Sequence, residues 1–165
     1  MPMIDAFLAE LDQEAVTTRR LLERLPAARL TWRPHAKSFT LGQLALHIAS
    51  IPSGVAGMAM EDTYETPDFR QAEPADSTEV LKTFDRGVVE ARGKLSTLSD
   101  AALGSPWTLT RNGQALMTFP RVVLVRTFLL NQLYHHRGQL TVYLRQLDVP
   151  LPSIYGPTAD ESPFA

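Results

Sequence analysis

The spacing of hydrophobic residues along the 165-residue chain predicts four amphipathic helices. Apolar side chains recur three or four positions apart over residues 3–25, about 40–60, 78–98 and 120–147, with polar residues between them. Since each apolar stripe must be buried against a neighbouring element, the pattern indicates helices packed on helices. It predicts one domain, residues 1–165, with the all-α architecture of a four-helix bundle.

Several residues mark where these helices begin or bend. Thr40 and Gln43 have the spacing of a capping box, in which each side chain bonds the other residue's backbone N–H. Pro52 has no N–H to donate to the preceding turn, so it predicts a kink or break in the second helix. Phe119 followed by Pro120 is typical of a helix start with proline at the first position.

The segments between the helices predict loops and one hairpin. Residues 61–77 are acidic and contain prolines, which is typical of a surface loop, and we expect this loop to line any pocket together with the helices. Asn112 and Gly113 lie between short alternating runs in residues 106–118, and this dipeptide favours a two-residue turn. The sequence therefore predicts a short β-hairpin or an extended loop before the last helix, and an irregular segment after Asp148.

Composition and charge exclude several classes of function. Sixteen basic and eighteen acidic residues leave a net charge of −2, which gives no electrostatic attraction for nucleic acid or an anionic membrane. The chain has no cysteine, so thiolate metal sites, cysteine nucleophiles and disulfides are excluded. The acidic N-terminus is unlike a signal peptide, and no apolar run reaches the length of a membrane span. We therefore expect a cytoplasmic protein that binds neither nucleic acid nor a membrane.

The candidate chemistry lies in the octet QLYHHRGQ on the last predicted helix, which holds two of the four histidines. His136 continues the apolar stripe of that helix, and His47 borders the apolar stripe of the second helix. Imidazoles aimed into a bundle from two facing helices are a common basis for a metal site. The alternative is that each is a hydrogen-bonded structural histidine, and the residues alone leave both interpretations open.

A third ligand would have to be an amide, because residues four apart share a helix face and the last helix offers only Gln132 with His136 or Asn131 with His135. An amide oxygen can bind a divalent ion, but it is neutral and weaker than imidazole or carboxylate. We therefore expect metal to be held loosely or at less than one ion per chain. His135 points about 100° away from His136, which predicts a residue that supports the site or lies at the surface. His35, in a proline-bounded loop, is expected in solvent.

Further residues around His136 are candidates for supporting the site or binding substrate. Arg137 would either bind an anionic substrate or pair with an acidic side chain, and the sequence does not distinguish the two. Gln139 and Tyr143 lie on the same part of the helix as His136. Gly138 costs about 1 kcal/mol relative to alanine inside a helix. We expect it to allow close packing of a neighbouring helix, with room beside the site as the alternative.

Two segments of the chain resemble the DinB family, a group of damage-inducible proteins regarded as metalloenzymes. The stretch NQLYHHRGQLTVYLRQLDVPLPSIYG is similar to the family's last helix and tail. The stretch LTWRPHAKSFTLGQLALHIASI is similar to the segment that carries its first histidine. The two segments occur in the family's order and at about its spacing. Together with the four predicted helices, the resemblance covers nearly the whole chain.

The resemblance implies an up-down-down-up four-helix bundle, often a homodimer, that binds nickel or zinc through three side chains. It implies that His47 is the ligand on the second helix and that His136 is the second of two ligands on the last helix. The first of that pair is usually histidine and sometimes an acid, and here it is Gln132. Family members with known reactions are thiol-dependent S-transferases and isomerases that use low-molecular-weight thiols.

Two hypotheses about function follow. In the first, the protein is a metal-dependent enzyme of the S-transferase, isomerase or hydrolase type, and its divalent ion (nickel or zinc) lowers the pKa of a thiol or water. Because the chain has no cysteine, the thiol would come from a low-molecular-weight cosubstrate. In the second, the protein is a non-catalytic bundle that binds a small molecule or serves a stress response, and Gln132 has weakened or abolished metal binding.

Overall fold

The computed structural model describes residues 2–164, most of which are helical. Four long helical segments follow one another along the chain, as the hydrophobic pattern predicts. The first three are α1 (Met3–Leu22), α2 (Leu41–Ala59) and α3 (Ser77–Leu95), with a single 3-10 turn at Ala27–Arg29. A short helix that the sequence did not predict follows, α4 (Asp100–Gly104). The fourth long segment comprises α5 (Arg121–Leu124), a π-helical segment (Val125–Asn131) and α6 (Gln132–Gln146).

A small three-stranded sheet accompanies the helices, in the order β1 (Thr63–Glu65), β2 (Pro106–Arg111) and β3 (Gln114–Pro120). The predicted hairpin is confirmed, because β2 and β3 are antiparallel. Asn112 and Gly113 have φ angles of 53° and 72°, the left-handed backbone that a tight two-residue turn requires. β1 lies inside the segment predicted to be a loop, and it pairs with β2 in parallel orientation. Three residues are too few for an alternating pattern to reveal this strand.

The helix α2 begins where the capping box predicts and continues past its proline. Thr40 Oγ1 accepts a hydrogen bond from the Gln43 backbone N–H (3.1 Å), and Gln43 Oε1 accepts one from the Thr40 backbone N–H (3.0 Å). The break predicted at Pro52 does not occur, since the helix is continuous to Ala59. Residues on both sides of Pro52 are buried, and this packing outweighs the one hydrogen bond that proline removes.

Most of α2 is buried, and it lies at the centre of the packing. Twelve of its 19 residues are buried, and it contacts α3, α5, α6 and the π segment. Its two halves belong to different hydrophobic clusters. The half that contains Leu44 and Ile48 packs with Phe84 of α3 and Leu140 of α6. The half that ends at Ala59 packs in the other cluster with residues from α1, β2 and the π segment. These residues are Leu8, Leu11, Trp107, Leu129 and Leu130.

The last helical segment has the predicted extent, but its middle is a π-helix. In a π-helix the backbone hydrogen bonds join residues i and i+5, so each turn holds more residues than in an α-helix. The residues before this segment are therefore rotated about the helix axis relative to those after it. Leu124 is fully buried, although nine residues at about 100° each would place it opposite the buried Leu133 in a regular α-helix. The π segment therefore lets both halves of the helix face the core, and Gln132 follows it directly.

Two glycines inside long helices differ in what they do. A Cβ on Gly87 of α3 would lie 3.3 Å from the Ala49 carbonyl oxygen, so this glycine allows α3 to approach α2 closely. Gly138 of α6 is exposed, and a Cβ there would meet nothing within 4 Å. The close packing predicted at Gly138 is therefore wrong, because no neighbouring helix covers that face of α6.

Two buried side chains, Trp107 of β2 and Arg121 of α5, hold the segments around the end of α2 together. Trp107, which is 1% exposed, donates its indole N–H to the Met58 carbonyl oxygen in the last turn of α2 (3.0 Å). Arg121 is also buried and donates to the carbonyl oxygens of Glu61 (3.1 Å) and Ala102 (2.9 Å). These bonds satisfy backbone carbonyl groups near helix ends, which would otherwise be buried without a hydrogen-bond partner.

A buried ion pair joins α6 to α1 and to the irregular C-terminal segment. Arg137 Nη1 lies 2.6 Å from Glu14 Oε2, and the two side chains are 3% and 6% exposed. The Tyr155 hydroxyl donates to the same carboxylate (2.8 Å), and its ring centroid lies 5.1 Å from the guanidinium carbon. Of the two roles predicted for Arg137, the structure shows the pairing with an acidic side chain.

No helix within residues 2–164 is both long enough and apolar enough to cross a bilayer.

Glu14→Gln is expected to lower the free energy of unfolding by about 3–5 kcal/mol, because it leaves the buried Arg137 charge without its counter-ion. The matched control is Asp12→Asn. Asp12 pairs with Arg92, but both side chains are about half exposed, so we expect a loss of at most about 1 kcal/mol. Urea denaturation monitored by circular dichroism measures both values. Equal losses for the two variants would contradict the importance assigned to the buried pair.

Candidate metal centre

Two imidazoles from different helices meet at one face of the bundle. The Nε2 atoms of His47 on α2 and His136 on α6 lie 3.2 Å apart, and the two rings are nearly perpendicular. Both side chains are half-buried. The buried apolar faces of the two helices bring them together, since Leu44 and Ile48 beside His47 share a cluster with Leu133 and Leu140 beside His136. The sequence predicted this meeting, although 89 residues separate the two histidines.

The outer nitrogen of each imidazole is held by a glutamine amide oxygen. His47 Nδ1 lies 3.2 Å from Gln71 Oε1, and His136 Nδ1 lies 2.9 Å from Gln139 Oε1. An amide oxygen can only accept, so each Nδ1 carries the proton and donates it. Each Nε2 of the neutral ring is then left with a lone pair. Two lone pairs that converge at 3.2 Å repel each other and create a site for a cation between them.

The surroundings of both imidazoles favour the neutral form that a metal ion requires. Burial lowers the pKa of His47, the neighbouring His136 lowers it further, and the hydrogen bond to Gln71 opposes these effects. Burial also lowers the pKa of His136, while its bond to Gln139 acts in the opposite direction and His135 adds a lowering effect. Each ring is therefore deprotonated at neutral pH, with Nε2 available as an electron-pair donor.

The nitrogen separation fits two ligands of one ion. Nitrogens bound to a single ion at about 2.0–2.1 Å in tetrahedral geometry lie about 3.3–3.4 Å apart. The observed distance of 3.2 Å between the Nε2 atoms is close to this value. Gln132 lies one helical turn before His136, and its side chain lines the same cavity. Two imidazoles and an amide oxygen are a weak but chemically suitable donor set for zinc or nickel.

The third ligand is the weak point of this centre. Within residues 2–164, no group of three or more histidine, cysteine, aspartate or glutamate side chains is arranged to hold a metal ion. An ion held by His47 and His136 would therefore need a donor of another type, and Gln132 is the candidate that the sequence offers. Loose metal binding stays a prediction, which rests on the weaker donor strength of a neutral amide compared with imidazole or carboxylate.

The remaining predicted site residues have different positions. His135 is exposed, its ring lies 4.9 Å from that of His136, and it lines the cavity. Gln139 contacts the imidazole of His136 directly, as described above. Tyr143 lies outside the cavity lining, where its hydroxyl donates to the Phe39 carbonyl oxygen (3.3 Å). Arg137 points to the other side of α6, toward α1, in its ion pair with Glu14.

A cavity of about 790 Å³ opens beside the two histidines. Most of its lining is apolar, and three phenylalanines from different elements contribute to it. Its polar groups are few and lie near the imidazoles. The lining residues on α2 are Leu46, His47, Ser50, Ile51, Gly54, Val55 and Met58. The other lining residues are Phe39, Phe69 to Ala72, Phe128, Gln132, His135 and His136.

Residues 66–76, here called the strap, cover one side of this cavity. The strap is fixed to β2 where the Thr66 backbone N–H donates to the Thr110 carbonyl oxygen (2.8 Å). Its other end is fixed where the Thr40 hydroxyl donates to the Glu73 carboxylate (2.8 Å to Oε2). Between these points, Gln71 reaches His47. The predicted loop therefore does line the pocket, and it also supplies the hydrogen-bond partner of His47.

Three residues of the cavity lining were not predicted from the sequence. Phe69, Arg70 and Gln71 lie in an irregular segment without periodicity, so no pattern marks the direction of their side chains. Phe69 is 59% exposed, and its ring centroid lies 5.6 Å from that of His47. Only the anchoring of the strap at both ends brings these side chains over the cavity.

Gln71→Ala is expected to lower the pKa of His47 further in metal-free protein, because the lost hydrogen bond favours the protonated ring. His136→Ala is expected to raise the pKa of His47, because a neighbouring positive charge and part of the burial are removed. Both pKa values are measured by titrating the imidazole resonances in NMR spectra. Gln146→Ala, at the exposed end of α6, is the control and should change neither histidine. Shifts of the opposite sign would contradict the hydrogen-bond assignment.

Comparison of the sequence with known proteins gives a consistent relationship. The sequence pattern of the DinB superfamily matches residues 10–147. The chain is also similar to the uncharacterized protein YrdA of Bacillus subtilis (strain 168). The two are 28% identical over 166 residues, an alignment that covers 96% of this chain and 91% of YrdA. The similarity therefore extends over the whole length of both proteins.

Solved structures show the same fold. A DinB-like protein from Bacillus cereus ATCC 10987 matches with a TM-score of 0.72 at 25% identity, over 92% of this chain and 97% of that one. YfiT from Bacillus subtilis, described as a probable metal-dependent hydrolase with an unusual four-helix bundle topology, matches with a TM-score of 0.64 at 14% identity, over 88% of each chain. A mycothiol-dependent maleylpyruvate isomerase matches with a TM-score of 0.54 at 14% identity, over 92% of this chain and 63% of the isomerase.

The helical fold with its small sheet, the match over residues 10–147 and the full-length similarity to YrdA agree with one another. The resemblance noted in the sequence is thereby confirmed. This chain belongs to the DinB superfamily.

Proposed function

We propose that this protein is a metal-dependent enzyme that acts on a small molecule bound in the cavity beside His47 and His136. The observation that carries the proposal is the convergence of two Nε2 lone pairs at 3.2 Å, each fixed by a glutamine oxygen on the opposite nitrogen. His47, His136 and Gln132 would hold one zinc or nickel ion. When bound, the ion would supply Lewis acidity that lowers the pKa of a thiol or water beside it.

The residues of the chain would supply the rest of the site. Gln71 and Gln139 keep the imidazoles in the tautomer and orientation that expose Nε2. The apolar cavity walls exclude water from the bound molecule, which strengthens electrostatic interactions at the polar end. Because three protein donors leave coordination positions open, substrate can approach the same point.

We propose a thiol-dependent transfer, isomerisation or hydrolysis as the class of reaction. The chain has no cysteine, so any thiol must come from a low-molecular-weight cosubstrate. The descriptions of two structural relatives, one a probable metal-dependent hydrolase and the other a mycothiol-dependent isomerase, support this class. The homodimer and the up-down-down-up order of the helices belong to the same proposal and stay predictions.

One observation favours a second function. The third donor is the neutral Gln132, and no cluster of three strongly ligating side chains is present in residues 2–164. A site with only two imidazoles would bind metal too weakly to retain it. In that case the cavity would make the protein a metal-free binder of small molecules, and the imidazole pair would bind its polar group.

Metal binding distinguishes the two functions. Protein purified without a metal-binding tag and treated with EDTA is titrated with Zn²⁺ or Ni²⁺ by calorimetry, and bound metal is measured by elemental analysis. Because Gln132 is a weak donor, the protein as purified should hold less than one ion per chain, and the titration should approach one ion per chain only as metal is added in excess. Loss of an outer-sphere partner typically costs about 10–100-fold in affinity, so His47→Ala and His136→Ala should each cost at least about 100-fold. His35→Ala is the control, since His35 is exposed and outside the cavity.

The same titration tests the third donor. Gln132→His is expected to tighten metal binding by at least about tenfold, because imidazole is a stronger ligand than an amide oxygen. Asn131→His, one residue earlier on an exposed position, is the matched control and should leave the affinity unchanged. Absence of metal from the wild-type protein would leave the metal-free binder as its function. Equal effects of the two substitutions would show that Gln132 is not a ligand.

Thiol binding tests the class of reaction. Glutathione serves as the probe thiol, and its affinity is measured by calorimetry with metal-loaded and metal-free protein. We expect glutathione to bind at least about tenfold more tightly to the loaded protein, because a divalent ion stabilises the thiolate. S-methylglutathione is the matched control, since it keeps the charges and peptide groups but cannot form a thiolate. Equal affinities for the two probes would rule out a thiol-dependent reaction for this probe class.

A further inference from the structure

We infer that the cavity selects a small amphipathic anion, with an elongated apolar body along α2 and its negatively charged group at the histidine end. This inference rests on the proposed function for the chemistry at the reacting end, and it names the class of substrate. Three observations carry it: the shape of the cavity, the distribution of charge around it, and a glycine that leaves room within it.

The shape of the cavity is elongated along α2. Its lining residues on that helix recur every three or four positions, from His47 through Ser50 and Gly54 to Met58. Eleven residues at a rise of 1.5 Å correspond to about 16 Å along the helix. The imidazoles lie at one end of this distance, and the other end is close to the sheet, where Trp107 bonds the Met58 carbonyl oxygen. Polar chemistry and apolar surface are therefore separated along the length of the cavity.

The apolar end is suited to an alkyl or aryl body. Ile51, Val55 and Met58 of α2 line it together with Phe128 of the π segment, and no side-chain carboxylate or ammonium group lies among them. Burial of an apolar group against such a surface is favourable. A fully polar substrate would leave this surface without a partner.

The described lining of the cavity carries one positive charge and no negative charge. Arg70 of the strap is the single charged side chain in this lining, which contains no aspartate or glutamate. Arg70 is exposed and adjacent in the chain to Gln71, which bonds His47, so its backbone lies at the histidine end. The proposed ligands His47, His136 and Gln132 are all neutral, so a bound divalent ion would keep its full charge. Both charges favour an anionic group at this end.

Gly54 provides space in the middle of the cavity. A Cβ at this position would meet nothing within 4 Å, although Gly54 lies inside α2, where glycine is less favourable than alanine. No helix packs against it, in contrast to Gly87. A side chain at position 54 would extend into the space that the apolar body of the ligand needs.

Three probes of equal length test the inference: octanoate, 1-octanol and octylammonium. Their affinities are measured by calorimetry with metal-free and with zinc-loaded protein. In metal-free protein we expect octanoate to bind about threefold to fivefold more tightly than 1-octanol, and octylammonium to bind most weakly, as an exposed arginine at the site predicts. Loading with zinc should increase the preference for octanoate by at least about tenfold further.

Two variants with controls locate the binding. Arg70→Gln should remove the preference for octanoate over 1-octanol in metal-free protein and leave 1-octanol unchanged, whereas Arg86→Gln on α3, outside this cavity, should change neither. Gly54→Leu should weaken the binding of all three probes by at least about tenfold, because the leucine side chain occupies part of the cavity. It should not lower the thermal stability, because the side chain meets no other group of the protein and leucine is favourable in a helix. The corresponding control is Gly93→Leu on α3, which also enters open space.

The outcomes separate this inference from the proposed function. If the metal-free protein prefers octanoate and Gly54→Leu removes binding, but zinc does not bind, the proposed function fails and the anion selectivity stands. If zinc binds and octylammonium binds as tightly as octanoate, the inference is overturned while the metal centre stands. Failure of all three probes to bind, or tight binding that Gly54→Leu does not change, also overturns the inference.

Discussion

The burial of α2 is the constraint on which the rest of the structure depends. This helix contributes to both hydrophobic clusters and contacts α3, α5, α6 and the π segment. Its inner face is so apolar that the helix continues through Pro52 despite the lost hydrogen bond. The side of α2 that runs from His47 to Met58 forms a wall of the cavity. The same packing that stabilises the bundle therefore determines where a small molecule can bind.

At the end of that wall, two half-buried imidazoles share a small space. Each is neutral because burial lowers its pKa, and each presents Nε2 because a glutamine oxygen holds Nδ1. Gln139 belongs to the same helix as His136, one turn further on. Gln71 comes from the strap, which is fixed at Thr66 and at Glu73. The orientation of His47 thus depends on the strap, and the side chains next to Gln71 in the strap also cover the cavity. The strap therefore connects the histidine pair physically with the cavity.

The chemistry of the centre depends on Gln132. It occupies the position where the DinB resemblance leads one to expect histidine or an acid, directly after a π-helical segment, a feature often found at functional sites. A neutral donor lowers affinity for a divalent ion, but it also leaves more of the ion's positive charge available to an anionic ligand. The proposed weak metal binding and the proposed preference for anions would have the same cause, which is the absence of a carboxylate from the described cavity lining.

The sequence by itself determined the long helices, the capping box at Thr40, the Asn112–Gly113 turn and the two histidines that face each other, because helical period and turn chemistry are local properties. It also identified Gln139 as a neighbour of His136. Only the tertiary structure decided the contacts between separate segments, namely the parallel pairing of β1 with β2, the ion pair of Arg137 with Glu14 and the hydrogen bond of Gln71 to His47. It also decided the continuity of α2 through Pro52, which depends on the packing around that helix. No local pattern encodes these contacts, since their partners lie far apart in the chain and meet only when the apolar faces of the helices are buried together.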